Sequence, residues 1–367
     1  MQKYKKRADG RYLAQIQIGY QSNGKPKYKN IYARTLSELD AKIVDFKADF
    51  NKGIVIDDKK LTVEKWAEIW LDTYKTNIGY NTRVRYCNII NQQIKPYLGA
   101  VRLSKLKLAE VQRLINALAA DGYSYSTMKK VKETLGQMFK QAILNGYVYV
   151  NPVDGVQLPP ATASERKPLT ENDIIKLGFF CKGYKHGALI MTLLYTGVRR
   201  GELLALTWDD INFSKNTISI NKAVEFRNNQ PYIKQPKTKK GIRTVPMPSI
   251  LIPYLEKLKE TATSDFVFVT THGQPHSDTS IKRLWNGFLR DYNRFLHFEK
   301  KEVVFTMHQF RHTYATIMYR AGVDVKTAQE FLGHSSINIT LDIYTHLEEV
   351  TKQKGADKLN EFISSLA

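Results

Sequence analysis

The residue types best suited to chemistry fall in the second half of the chain, in four short constellations. Thr196-Gly197-Val198-Arg199-Arg200-Gly201-Glu202 reads as a turn feeding into a helix. That places Arg199 at a helix start, beside backbone N–H groups that favour an anion. Lys237-Thr238-Lys239-Lys240-Gly241 falls in the turn between two strand-like segments. His308-Gln309-Phe310-Arg311-His312 lies in a helix that Thr306 can cap, and a spacing of three sets His308 and Arg311 on one face, a proton-transfer group beside a fixed cation. Leu332-Gly333-His334-Ser335-Ser336 reads as one helix ending at Gly333 and another opening at Ser336, with Tyr344 on the second.

Each constellation alone has an ordinary explanation. Arg199 suits a surface salt bridge, a lysine cluster in a turn suits a protected sheet edge, and a helical tyrosine suits packing. His308 and His312 stand four apart, as in a zinc-binding H-E-x-x-H helix. Gln309 sits where that motif needs glutamate, and Arg311 would bring positive charge to the metal, so the zinc reading is disfavoured.

Taken together and in this order, Arg199, a lysine of the 237–240 run, His308 with Arg311, His334 and Tyr344 resemble the active site of the tyrosine recombinases, the lambda-integrase family. The resemblance spans roughly 165–367 and is closest in kind to integrases of Gram-positive temperate phages and conjugative transposons. It implies site-specific DNA recombination through a 3′-phosphotyrosyl intermediate and a Holliday junction. Arg199 and Arg311 would hold the non-bridging phosphate oxygens, since a planar, permanently charged guanidinium makes a bidentate clamp that Lys cannot. Tyr344 would attack phosphorus. Ionising a phenol of ordinary pKa, about 10, costs roughly 4 kcal/mol at pH 7, so His308 would assist as base. Lys237 would protonate the leaving 5′ oxygen, with Lys239 the alternative because the run blurs the register. His334 would hydrogen-bond the phosphate, Glu202 would orient the cations, and His346 matches a frequent pattern without a defined role. No metal, ATP or other cofactor is implied, and the partners would be double-stranded attachment sites, a homotetramer on DNA, an excisionase and a host DNA-bending protein. A type IB topoisomerase and a non-catalytic DNA-binding regulator are the competing readings.

The elements that must position these residues follow from patterning. The 367 residues carry 56 Lys plus Arg against 35 Asp plus Glu, a formal charge of +21 that points to a polyanion. A hydrophobic fraction of 43% supports two or three cored domains. Apolar runs are too short to cross a bilayer, and two cysteines 94 positions apart predict a reducing, cytoplasmic compartment and no membrane partner. The expected class is a multidomain α+β protein. Residues 1–55 alternate as strands over Arg11–Ile18 and Lys27–Ala33, then show helical spacing through Phe50; with the resemblance they form a three-stranded sheet plus helix, an arm-type DNA-binding domain. Lys3, Lys5, Arg11, Lys25 and Lys27, interleaved with tyrosines, are its candidate DNA contacts. Residues 62–157 read as an all-α core-binding domain whose helices are broken at Pro96, Gly99, Gly122 and Gly146. Residues 165–367 read as a mainly α catalytic domain with a small antiparallel sheet, helices expected at Glu171–Phe180, His186–Leu194 and Arg200–Leu206, and strands at Thr217–Ala223, Tyr232–Gln235 and Ile242–Met247. Leu359, Phe362, Ile363 and Leu366 form an apolar stripe that suits packing on its own domain; the resemblance instead docks it on a neighbouring protomer.

Overall fold

A computed structural model describes residues 4–20, 26–51, 61–161, 168–235, 241–297, 302–334, 336–341 and 363–366. The chain divides into two compact units, residues 1–163 and 164–367.

The first unit holds two separate hydrophobic clusters. One lies beneath an antiparallel sheet of β1 (Lys5–Lys6), β2 (Tyr12–Tyr20) and β3 (Pro26–Ala33), in that order, and α1 (Leu36–Asn51) covers it. Period-two alternation turns Ala14 and Ala33 inward against Leu39 and Ile43, with Tyr12, Ile16 and Ile31 partly buried beside them. The other cluster is built by α2 (Val63–Tyr74), α3 (Tyr80–Ile89), α4 (Lys95–Leu98), α5 (Leu108–Ala120) and α6 (Tyr125–Leu144). Thr62 caps α2 as expected, accepting from the Lys65 N–H at 3.4 Å. Trp66 is fully buried and its indole N–H donates to the Met138 carbonyl at 2.9 Å, which ties α2 to α6.

Pro96 does not break its helix. A π-helical turn at Ile90–Ile94 joins α3 to α4, and Pro96 falls in the first turn of α4. The wider turn gives the proline ring room beside the preceding carbonyls, where an α-turn would clash.

The second unit packs around α8 (Gly187–Thr196), preceded by α7 (Glu171–Gly183). Leu189, Ile190, Met191, Leu193 and Leu194 are all buried, so α8 is apolar on every side and sits inside rather than on the surface. Then come α9 (Arg200–Leu203), β4 (Ile211–Asn212), β5 (Thr217–Ile220), β6 (Ala223–Arg227), β7 (Gln230–Lys234) and β8 (Arg243–Pro246). Helices α10 (Ile252–Glu260), α11 (Asp278–Phe295), α12 (Met307–Arg320) and α13 (Val325–Leu332) come next.

Three local expectations are corrected here. The helix expected over Arg200–Leu206 stops at Leu203, because Leu204, Ala205 and Leu206 are all buried and the Leu206 carbonyl turns to accept from the Val267 N–H at 2.9 Å. The strand expected over Thr217–Ala223 divides, because Asn221 donates to the buried Asp210 carboxylate at 2.8 Å and Lys222 pairs with it. The strands flanking the lysine run do not pair with each other. β8 pairs with β5 in the sheet β4-β5-β8, whereas β7 pairs with β6 across an Asn228-Asn229 turn, both asparagines at positive φ (46° and 68°).

Removing the Trp66 ring would leave a large hole at the junction of α2 and α6. Trp66→Ala should lower the stability of the helical part by about 3–5 kcal/mol. Urea unfolding followed by helical circular dichroism would test this, and an unmoved midpoint would show that the neighbouring helices close the gap.

Candidate active site

Two glycine turns and one strand bring the predicted residues together. α8 ends at Gly197, whose left-handed backbone (φ +60°) is a conformation that side chains disfavour, and a Cβ there would lie 2.4 Å from the Tyr314 ring. The chain then turns into α9 with Arg199 at the N-cap. α13 ends at Gly333 (φ +62°), which reverses the chain into His334. On α12, Thr306 accepts from the Gln309 N–H at 3.3 Å and so sets the helix that carries His308 and Arg311.

Arg311 is only 3% exposed. Its Nη1 donates to the Gly197 carbonyl at 2.9 Å and its Nη2 to the Leu332 carbonyl, so one guanidinium ties the two glycine turns to α12. Burial pushes its pKa down to about 9, helped by the charges of Arg199 and Arg243 and opposed by Glu202. It remains a cation at neutral pH.

Glu202 sits at the centre of the cluster. Its Oε1 accepts from Arg199 Nη1 at 2.8 Å and Arg243 Nη1 at 3.1 Å; its Oε2 accepts from the Arg199 backbone N–H and from Arg243 Nη2, both at 2.8 Å. Burial alone would raise this carboxyl, but hydrogen bonding and charge from Arg243, then Arg199, bring it down to about 2. Arg199 also donates from Nη2 to the Gly333 carbonyl at 3.0 Å, with its side chain 44% exposed. Two guanidinium groups, of Arg199 and Arg243, thus share one carboxylate with the Arg311 charge nearby, and the surplus positive charge faces outward through Arg199.

His334 is buried, and burial followed by the Arg311 and Arg199 charges lowers its pKa to about 3. The ring is neutral at physiological pH. Its Nδ1 lies 2.9 Å from the Thr340 hydroxyl, and a hydroxyl donating to Nδ1 leaves the proton on Nε2, available to a phosphate oxygen. Gln329 fixes the backbone there, its Nε2 donating to the His334 carbonyl at 3.0 Å while its own carbonyl accepts from the His334 N–H at 3.2 Å. Ser336 opens the next helix as expected, accepting from the Asn338 N–H at 3.3 Å.

The structure therefore gathers Arg199, Glu202, Arg311 and His334. His308 lies at the exposed first turn of α12 with its ring edge-on to His312, centroids 4.8 Å apart, whereas Arg311 points into the protein. The backbone N–H at the start of α9, expected to favour an external anion, is already taken by Glu202. Lys3, Lys25, Lys237, Lys239, Tyr344 and His346 lie outside the described residues, as do the side chains of Lys5 and Lys27. Arg11 pairs with Asp9 at 2.8 Å and lies over the Tyr32 ring beside Arg7, a cation–π contact within the sheet. Arg243 and Thr340 were not anticipated. A signal for Arg243 existed: strand alternation puts it on the same face as the fully buried Val245, and a charge on an inward face demands a partner.

Helical packing around α8, with a clustered arginine pair and a neutral histidine beside two glycine turns, agrees with the resemblance to the tyrosine recombinases. Residues 167–350 match the phage integrase family and residues 62–119 match the phage integrase N-terminal SAM-like domain. A tyrosine recombinase XerC-like protein of Caldanaerobacter subterraneus is 31% identical, covering 98% of both chains. The transposase from transposon Tn916 of Enterococcus faecalis is 27% identical, covering 96% of this chain and 95% of its own. In fold, the chain is similar to the Tn1549 transposon integrase in complex with transposon right end DNA (TM-score 0.74, 24% identity, 82% of this chain and 100% of that one). It is also similar to lambda integrase as a tetramer bound to a Holliday junction (TM-score 0.60, 19% identity, 92% and 96% of the two chains). The chain belongs to the phage integrase family.

Acid should weaken this unit. His334 (about 3) and His186 (about 4) are held below an unfolded histidine's 6.5, chiefly by burial, and Glu202 (about 2) below 4.5. In each case the unfolded chain binds the proton more readily, so stability is full above the unfolded pKa and falls as pH drops towards the folded one. Unfolding midpoints should therefore decline from pH 7 to pH 5, with His334→Gln flattening the slope; a flat wild-type profile would contradict the assignment.

Proposed function

We propose that the chain cuts and rejoins attachment-site DNA with Tyr344 as nucleophile. The phenolic oxygen forms a bond to phosphorus, the bond to the 5′ oxygen breaks, and a 3′-phosphotyrosyl link results. His308 takes the phenolic proton, and Lys237 or Lys239 returns one to the leaving 5′ oxygen. Arg199 and Arg311 neutralise charge on the non-bridging oxygens, and His334 donates to one of them from Nε2. The observation that carries this reading is the surplus of positive charge around Glu202, with Arg199 half-exposed in front of a buried Arg311. Such a pocket is built to receive a phosphodiester. His346 has no assigned role.

In this reading residues 1–55 bind arm-type DNA, with Lys3, Lys5, Arg11, Lys25 and Lys27 as candidate contacts, residues 62–157 bind the core site, and residues 165–367 catalyse. Four copies assemble on DNA, as in the lambda integrase tetramer bound to a Holliday junction. The carboxyl-terminal residues support that assembly: Ile363 and Leu366 are 54% and 72% exposed, free to dock on a neighbour. An excisionase and a host DNA-bending protein would set direction, and the DNA substrate puts the reaction in the cytoplasm.

The decisive test is incubation with nicked suicide DNA carrying the attachment site, in EDTA, followed by a denaturing gel. A covalent band that vanishes in Tyr344→Phe is expected. Its absence on bound DNA would favour a non-catalytic regulator, and relaxation of plasmid lacking any site would favour a type IB topoisomerase. Arg199→Lys should slow cleavage by on the order of a hundredfold, since it loses the fork that holds two oxygens; near-normal cleavage would remove Arg199 from this role. Deletion after Gly355 should abolish tetramer assembly while leaving cleavage of a single site, as read by sizing the protein–DNA complex.

A further inference from the structure

We infer that Arg243 is a positioning residue for the cleavage step: it absorbs the charge of Glu202, so that Glu202 can aim Arg199 at the scissile phosphate without neutralising it. This rests on the assignment of Arg199 as a phosphate clamp.

The geometry of Glu202 poses the problem that Arg243 solves. A carboxylate 2.8 Å from a guanidinium fixes its orientation but also cancels its charge, and a cancelled Arg199 would attract a phosphodiester weakly. Arg243 meets both oxygens of the same carboxylate, at 3.1 and 2.8 Å, through the two terminal nitrogens of its fork. Its side chain is 5% exposed, against 44% for that of Arg199. The buried guanidinium has no water to stabilise it and depends on the carboxylate; the half-exposed one has solvent and, in the complex, the phosphate. The carboxylate's charge therefore compensates Arg243, while its geometry serves Arg199.

Arg243 also reaches the other side of the pocket. Its Nε donates to the Phe331 carbonyl at 2.7 Å, and the guanidinium lies directly under the Gly333 turn, where a Cβ would meet Arg243 atoms at 3.0 Å. That turn presents His334, and the Gly333 carbonyl accepts from Arg199. One side chain on β8 thus supports the residues on both sides of the pocket.

The test separates charge compensation from simple packing. Single-turnover cleavage of the nicked suicide DNA would be measured for Arg243→Met, Arg243→Lys and the double variant Glu202→Gln/Arg243→Met, alongside the melting temperature of each. Arg243→Met should cleave on the order of thirtyfold more slowly, because Glu202 then bears on Arg199 alone. Adding Glu202→Gln removes that opposing charge and should recover about fivefold or more, although it deletes a further interaction. Arg243→Lys keeps the charge and should lose about fivefold at most. A folded double variant no faster than Arg243→Met would overturn the inference. Should methionine prevent folding, Arg243→Lys decides: a folded lysine variant as slow as Arg199→Ala would overturn it too. Wild-type cleavage by Arg199→Ala, or a covalent band from Tyr344→Phe, would instead overturn the assignment of the site itself.

Discussion

Keeping several positive charges close together inside a protein is the constraint on which the catalytic unit depends. Arg199, Arg243 and Arg311 perturb one another's surroundings, and Arg311 and Arg243 are nearly excluded from water. Like charges brought this near repel, and each loses hydration. The fold answers with one carboxylate that accepts four hydrogen bonds and with main-chain carbonyls aimed at the remaining N–H groups. Compensation is deliberately incomplete. A fully neutralised cluster would be more comfortable for the folded protein and of less use to a phosphate.

The carbonyls that make this possible come from the two glycine turns. At Gly197 and Gly333 the backbone enters the left-handed region, the helix ends, and carbonyls at or near the turn face the guanidinium groups. Tyr314 packs against Gly197, which leaves no space for a side chain there, and Arg243 packs tightly against Gly333. Helix termination and charge stabilisation are here the same structural event. It explains why the site forms at the ends of α8 and α13, and why α12, which carries Arg311, must pass between them.

His334 shows how the same cluster selects a protonation state. Surrounded by cations and removed from water, it is held neutral, with its Nδ1 engaged by the Thr340 hydroxyl. In the proposed reaction a neutral donor adds a directed hydrogen bond to a phosphate without adding to the repulsion. His308, the base in the proposed reaction, is exposed at the start of α12 instead.

Much of this was legible before any fold was known. Gly197-Val198-Arg199, His308 through Arg311, and Gly333-His334 lie in local contexts whose helix stops, caps and spacings are properties of a few adjacent residues. The same holds for the alternating strands of the amino-terminal sheet, and for Thr62, Thr306 and Ser336 as helix openers, because capping and side-chain period act within one or two turns of chain. What sequence could not decide was non-local. The end of α9 at Leu203 follows from burial of the next three residues, the division of the strand after Ile220 from a carboxylate ten residues upstream, and the separation of β7 from β8 from which strand each finds as neighbour. Arg243 belongs to that second group. Its partners stand 41 residues before it and 88 after it, and only the closing of the chain around α8 brings a strand arginine to the Glu202 carboxylate.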